Sequence, residues 1–159
     1  MKKIIFALFV FVPAVLYAQP KQGQALIDSL VKELSTDSQP KKADSVKAAI
    51  LVDLCYSYYD IDPDKGIQYG KEGLALAEKL KSKNQVARVY YYLGANYCVK
   101  ADYPTALDYW EKALKVNEEL GNKKRIAQNL KNIARIFVVQ NKYYKSNHLH
   151  RLIKMGKSH

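Results

Sequence analysis

Sliding the sequence against itself gives matches at an offset of 40 residues, and such a repeat restricts the chain to architectures that stack one unit on the next. Ile67, Tyr69, Leu74, Glu78 and Leu80 fall on Leu107, Tyr109, Leu114, Glu118 and Leu120. Further along, Val86, Ala87, Tyr90, Leu93, Gly94, Tyr97 and Tyr103 fall on Ile126, Ala127, Leu130, Ile133, Ala134, Phe137 and Tyr143. Most matched positions are apolar or small and recur at spacings of three and four. The repeated object is therefore a helical unit with one buried face.

Each unit divides into two helices. From about Asn84 to Lys100, Val86, Tyr90, Leu93, Gly94 and Tyr97 share one side, as an amphipathic helix requires. Asp102-Tyr103-Pro104 interrupts it, and Pro104 suits the first turn of the next helix, where its missing N–H is no loss. That helix runs to Leu120, and Gly121-Asn122 stops it with a left-handed cap signal. Asp62-Pro63-Asp64 opens the equivalent helix one unit earlier. Gly94, Ala106 and Ala113 allow two antiparallel helices to cross closely, while Leu93, Tyr97, Tyr103 and Trp110 fill the space around them. The expected fold class is all-α: an α-α superhelix of about three antiparallel helix pairs. The units are 43–82, 83–122 and 123–156, preceded at 19–42 by a short leading helix (Gln24 to Leu34) and the polar linker STDSQPKK.

This combination resembles the tetratricopeptide repeat. The unit from Ala87 to Leu120 carries nearly the whole pattern: a large residue at Tyr90, then Leu93-Gly94, Tyr97, Tyr103, Ala106, an aromatic at Trp110, and Ala113. The resemblance extends to Ile126–Gln140 and, more thinly, to the preceding unit. A spacing of 40 exceeds the family's usual length of about 34 and is similar to the extended variants in the input regions of exported bacterial sensors and regulators. In the first unit Gly66, Gly70 and Gly73 replace two Ala and an aromatic. Each costs about 1 kcal/mol relative to Ala inside a helix, which predicts that this helix is the weakest. In the last unit Ser146, His150, Ile153 and Lys154 replace Ala106, Trp110, Ala113 and Leu114. A poorly packed final helix, losing order beyond Leu152, is expected there.

The chain opens MKKIIFALFVFVPAVLYAQ, with Lys2 and Lys3 before a short apolar run and a small residue at Ala18. This is the layout of a secretory signal peptide at 1–18, cleaved after Ala18. The run is shorter than the roughly 20 residues that cross a bilayer, and no second such run follows, so no transmembrane span is expected in the mature chain. An uncleaved N-terminal anchor is the alternative. Export places the protein in the periplasm or outside the cell, where Cys55 and Cys98 could pair, yet both sit inside helical apolar patterns and read first as free buried thiols. Charge is uneven. Residues 121–159 carry ten cations and no Asp or Glu, residues 19–120 sum to −1, and the leader adds +2. The basic character belongs to the last repeat rather than to the fold.

No common catalytic motif is complete, and no metal or cofactor is expected. The tail MGKSH lacks the earlier Gly and the following helix of a phosphate loop. His148 and His150 are two apart and diverge on a helix. What remains is a surface. In the family the first helix of each pair lines a concave groove, and the resemblance carries Tyr56 and Tyr59, then Arg88, Tyr91, Ala95 and Cys98, then Gln128, Lys131 and Arg135 onto it. Tyr92 is the other aromatic without a packing role. Such a groove is aromatic at one end and basic at the other, suiting a protein or peptide segment with an acidic side chain or terminal carboxylate. The family's carboxylate clamp needs Asn where Tyr56 and Ala95 stand, so that ligand is not expected. Export makes nucleic acid an unsuitable partner, and the open face of the last unit favours self-association. The expected function is a non-enzymatic exported repeat module for protein or peptide binding. The alternative is a truncated periplasmic sensory region of a signal-transduction protein.

Overall fold

The computed structural model describes residues 19–35 and 44–156, with side chains over 23–35 and 44–141. The signal peptide read at 1–18 and the linker after Ser35 lie outside the described residues. Six helices make up the rest: α1 (Gln19–Ser35), α2 (Asp44–Ser57), α3 (Pro63–Lys79), α4 (Lys83–Val99), α5 (Tyr103–Glu119) and α6 (Lys123–Gly156). There is no strand among the described residues, so the all-α expectation holds. No helix among them is long and apolar enough to cross a membrane.

From Pro63 onward the helices begin every twenty residues, because one turn is used three times. α3, α4 and α5 are each 17 residues long and each is followed by three linking residues. Lys81, Ala101 and Gly121, spaced twenty apart, all take a left-handed backbone, with φ of 52°, 60° and 63°. At each turn the left-handed residue donates its N–H back three residues, to Glu78, Cys98 or Glu118. The residue after it donates back five, to Ala77, Tyr97 or Asn117. These are the paired hydrogen bonds of a Schellman ending, and they satisfy carbonyls that the helix end would otherwise leave open. Only Gly121 adopts the conformation without the steric penalty of a Cβ. The start of the next helix is fixed as well: Asp62 Oδ1 accepts from Lys65 N (3.1 Å) and Asp102 Oδ1 from Thr105 N (3.2 Å). Each carboxylate also lies at the positive end of its helix.

Short turns make neighbouring helices antiparallel, and small residues set how closely they pack. Trp110 is fully buried, with its ring where a Cβ on Gly94 would lie 2.6 Å from Cδ1 and Nε1. Its indole N–H donates to the Tyr91 carbonyl at 2.9 Å. Truncating a buried Trp removes about 3–5 kcal/mol, so this single contact dominates the α4–α5 pair. Tyr109 lies between Tyr97 (5.5 Å between centroids, near parallel) and Tyr90 (6.0 Å). Leu93, Ala106 and Ala113 are buried and Tyr103 is half-buried, in the packing positions the repeat assigned to them.

The first unit inverts the arrangement. Gly70 stands where the next unit has Trp110, and Leu93 Cδ2 and Cys55 Sγ press to within 2.6 and 2.8 Å of where its Cβ would be. Gly66 faces Asn96, whose Oδ1 would lie 2.1 Å from a Cβ there. Asn96 is fully buried and donates to the carbonyls of Cys55 (2.9 Å) and Tyr92 (2.8 Å), tying α4 to α2 through the space that Gly66 leaves. These glycines lower helix propensity, and the packing uses the gaps they create. At the other flank α1 covers α2: Ile27 is buried with Ile50, Leu54 and Tyr58. That leading helix is longer than Gln24–Leu34, beginning at Gln19.

The third unit is not a pair. α6 runs 34 residues without a turn, through the segment expected to reverse, and continues past Leu152 to Gly156. The reason is local. Forty residues after Asp102-Tyr103-Pro104 the chain reads Lys142-Tyr143-Tyr144. Neither the capping carboxylate nor the proline is present, and nothing interrupts the helix. Leu130, Ala134 and Phe137, the counterparts of Tyr90, Gly94 and Tyr97, are consequently exposed.

Two outcomes test these assignments. Gly66→Ala should lower stability by about 1–3 kcal/mol in urea unfolding, opposite in sign to the gain of about 1 kcal/mol that helix propensity alone gives. Gly121→Ala and Ala101→Gly should move the melting free energy by about 1 kcal/mol in opposite directions, down for the first and up for the second. Equal signs would show that the left-handed residue does not set the turn.

Candidate functional site: an aromatic groove ending in a guanidinium

The first helices of successive units, α2, α4 and α6, together line a concavity of about 240 Å³. α2 contributes Tyr56 and Tyr59, stacked at 5.8 Å and 14°. From α4 comes Tyr92, tilted against Tyr56 at 5.0 Å and packed edge-on to Tyr91 at 5.5 Å. The spacing of Tyr56 and Tyr59, three apart on a helix, is what lets two rings share one stripe. Tyr56 keeps half its surface exposed (50 %).

The opposite wall is polar. Asn132 Nδ2 of α6 donates to the Tyr91 hydroxyl at 3.1 Å, and Arg135 Nη2 lies 4.0 Å from Cys98 Sγ. These contacts fix the approach of α6 to α4 and hold the guanidinium at the rim. Ala95 and Val99 form the floor between the walls. No carboxylate or imidazole is among the residues lining the concavity, so its only formal charge is the positive one on Arg135. A second concavity of about 260 Å³ adjoins it, sharing Tyr91 and Tyr92 and adding Lys124, Arg125 and Gln128. The chain thus presents a surface that is aromatic over α2 and α4 and cationic over α6.

Of the groove residues expected from the repeat, Tyr56, Tyr59, Tyr91, Ala95, Cys98 and Arg135 converge on the first concavity, and Gln128 lines the second. Arg88 does not line either. Its Nη2 pairs with Asp53 Oδ1 at 2.7 Å, so it acts as a strut between α4 and α2. Lys131 is exposed and lines neither. Tyr92 and Asn132 belong to the surface although the repeat did not assign them to it. The stripe on α4 is rotated by about one residue, since Tyr92 and Val99, at a spacing of seven, face the groove where Arg88 does not. Asn132 at a spacing of three before Arg135 was the signal on α6.

Both cysteines are free thiols, Cys55 buried and Cys98 partly exposed at the groove. Burial pushes the Cys55 thiol up from 9.0 to about 12, because the apolar core disfavours the thiolate. Among the described residues no cluster of three or more His, Cys, Asp or Glu is placed to hold a metal. A scan of the sequence against protein-family models gives no match, and a search of curated proteins returns none either.

The two thiols should behave differently. Iodoacetamide applied to the folded chain should label Cys98 and spare Cys55 until denaturant is added, as peptide mass mapping would show. The unfolded Cys55 thiol ionises near 9.0 and the folded one near 12, so alkali favours the unfolded state across that window. Stability should fall as pH rises through it, and less steeply in Cys55→Ala; equal slopes would remove Cys55 as the cause.

Proposed function

We propose that the chain is a non-enzymatic repeat module of the tetratricopeptide type, acting after export, that holds an extended segment of another protein in its groove. The observation that carries this reading is the continuity of one recognition surface across three helices from three units, aromatic at Tyr56, Tyr59 and Tyr92 and cationic at Arg135. Aromatic faces take an apolar or aromatic side chain with little loss of conformational entropy, and a planar guanidinium takes a carboxylate through two hydrogen bonds. The bound segment therefore places an apolar side chain over α2 and α4. It places an Asp, a Glu or a terminal carboxylate over α6. The stacked helices beneath keep these groups at fixed spacing, which is what an extended peptide requires.

Peptide display against the full-length mature chain tests this. The expected selection is enriched in segments with an aromatic or aliphatic residue followed by an acidic one. Tyr92→Ala and Arg135→Glu should each weaken a selected peptide by about tenfold or more, while Lys115→Glu, on the far helix α5, leaves it unchanged. Selection of no consensus, or a peptide indifferent to both groove substitutions, would sink the proposal.

A further inference from the structure

α6 has a second surface, separate from the groove. Ala127, Leu130, Ala134 and Phe137 lie at successive spacings of three and four and form one stripe, with Leu130 and Phe137 exposed to 50 % and 55 % and Val138 beside them to 68 %. A monomeric helix of a soluble domain turns such a stripe inward. One unit earlier the same stripe is covered. Ala87 and Gly94 are buried, Tyr90 and Tyr97 hold Tyr109 of α5 between them, and Trp110 of α5 sits on Gly94. The alternation of small and large residues on α6 repeats that of α4, which is shaped to receive a helix.

The charge around the stripe defines what kind of helix. Lys83, in the first turn of α4, pairs with Glu119 in the last turn of α5 at 2.7 Å. Lys123 holds the corresponding place on α6, and exposed Lys131 lies one turn from both Ala127 and Ala134, whereas Lys124 belongs to the second concavity. No ion pair joins Lys123 among the described residues, and residues 121–159 contain no carboxylate. A second copy laid α6 against α6 would bring nine more cations and no anion, so charge opposes that pairing.

We propose that this open face of α6 is a docking site for an acidic amphipathic helix of a partner protein, seated antiparallel over residues 123–138 as α5 is seated on α4. Its apolar side contributes a bulky residue over Ala134, as Trp110 does over Gly94, and its last turn carries a carboxylate for Lys123. The site is distinct from the groove and does not depend on the peptide reading given above. A lipid surface would meet the same cations, yet it has no use for the small residues at 127 and 134, which a helix needs for close approach.

The α5 segment itself is the natural probe: residues 103–119 are acidic, with four carboxylates against two lysines. A labelled peptide of that sequence, ends blocked, is titrated into the full mature chain and followed by fluorescence anisotropy. The expected result is saturable binding that weakens about tenfold or more with Leu130→Asp or Phe137→Asp, and also at high salt. Both side chains are exposed, and unchanged circular-dichroism melting confirms that the variants fold. Lys123→Glu should weaken the native peptide, and Glu119→Lys in the peptide should restore binding to that variant. Absence of binding, or binding that ignores Phe137→Asp, overturns the proposal. So does a Phe137-dependent dimer in sedimentation that the peptide fails to displace, or Phe137-dependent attachment to phosphatidylserine vesicles without peptide binding.

Discussion

The left-handed turn repeated at Lys81, Ala101 and Gly121 is the constraint on which the rest depends. It follows three helices of identical length, α3, α4 and α5, with three linking residues each time, so each next helix starts at the same offset from its predecessor. With length and offset fixed, residues forty apart occupy equivalent sites, and the pairings between units follow. Asn96 reaches the Cys55 carbonyl and Asn132 reaches the Tyr91 hydroxyl, each across forty-one residues. Exposed ion pairs such as Lys83–Glu119 and Lys79–Asp44 close the pairs at their ends and contribute little individually. The concavity follows from this regularity, since residues on the first helices of successive units line it together.

Much of the fold was legible because its signals are local. Asp62 and Asp102 cap the helices they precede, Gly121 ends the one before it, and Gly94 opposes Trp110, all as the spacing requires. The forty-residue offset nonetheless concealed a finer period. Helix starts recur every twenty residues, but the two helices of a pair bury different side chains, so self-comparison registers only the full unit. The glycines of α3 carry a second role that is not local. Propensity is a property of one helix, whereas Gly66 and Gly70 matter through Asn96, Leu93 and Cys55 on others.

The concavities draw together some of the residues that the repeat pointed to and not others, for identifiable causes. Arg88 has the right spacing to join Tyr91, yet Asp53 on α2 draws it into an ion pair, and pairing partners thirty-five residues away leave no trace in a helical wheel. Helices in a twisted stack rotate relative to one another, which brings Tyr92 into the concavity. The failure of the third pair was the most readable in retrospect. Lys142-Tyr143-Tyr144 lacks both breakers, but the apolar matches on either side of it favoured a copy of the preceding unit.

α6 consequently presents three different faces over residues 123–141. One buries Asn129 and Ile136 against the preceding pair, one presents Asn132 and Arg135 to the groove, and one exposes Leu130 and Phe137. The cations concentrated on this helix serve the two open faces by different physics. At the groove a single guanidinium, exposed at the rim beside Cys98, meets a carboxylate through two hydrogen bonds, so geometry decides selectivity, while the rings of Tyr56, Tyr59 and Tyr92 supply contacts that salt does not screen. Along the outer stripe, lysines at a solvated edge act mainly through long-range attraction, which governs the rate and salt sensitivity of association more than its final strength. Ligands of the two proposed sites should therefore be separable by ionic strength alone, the groove ligand retaining more of its affinity as salt rises.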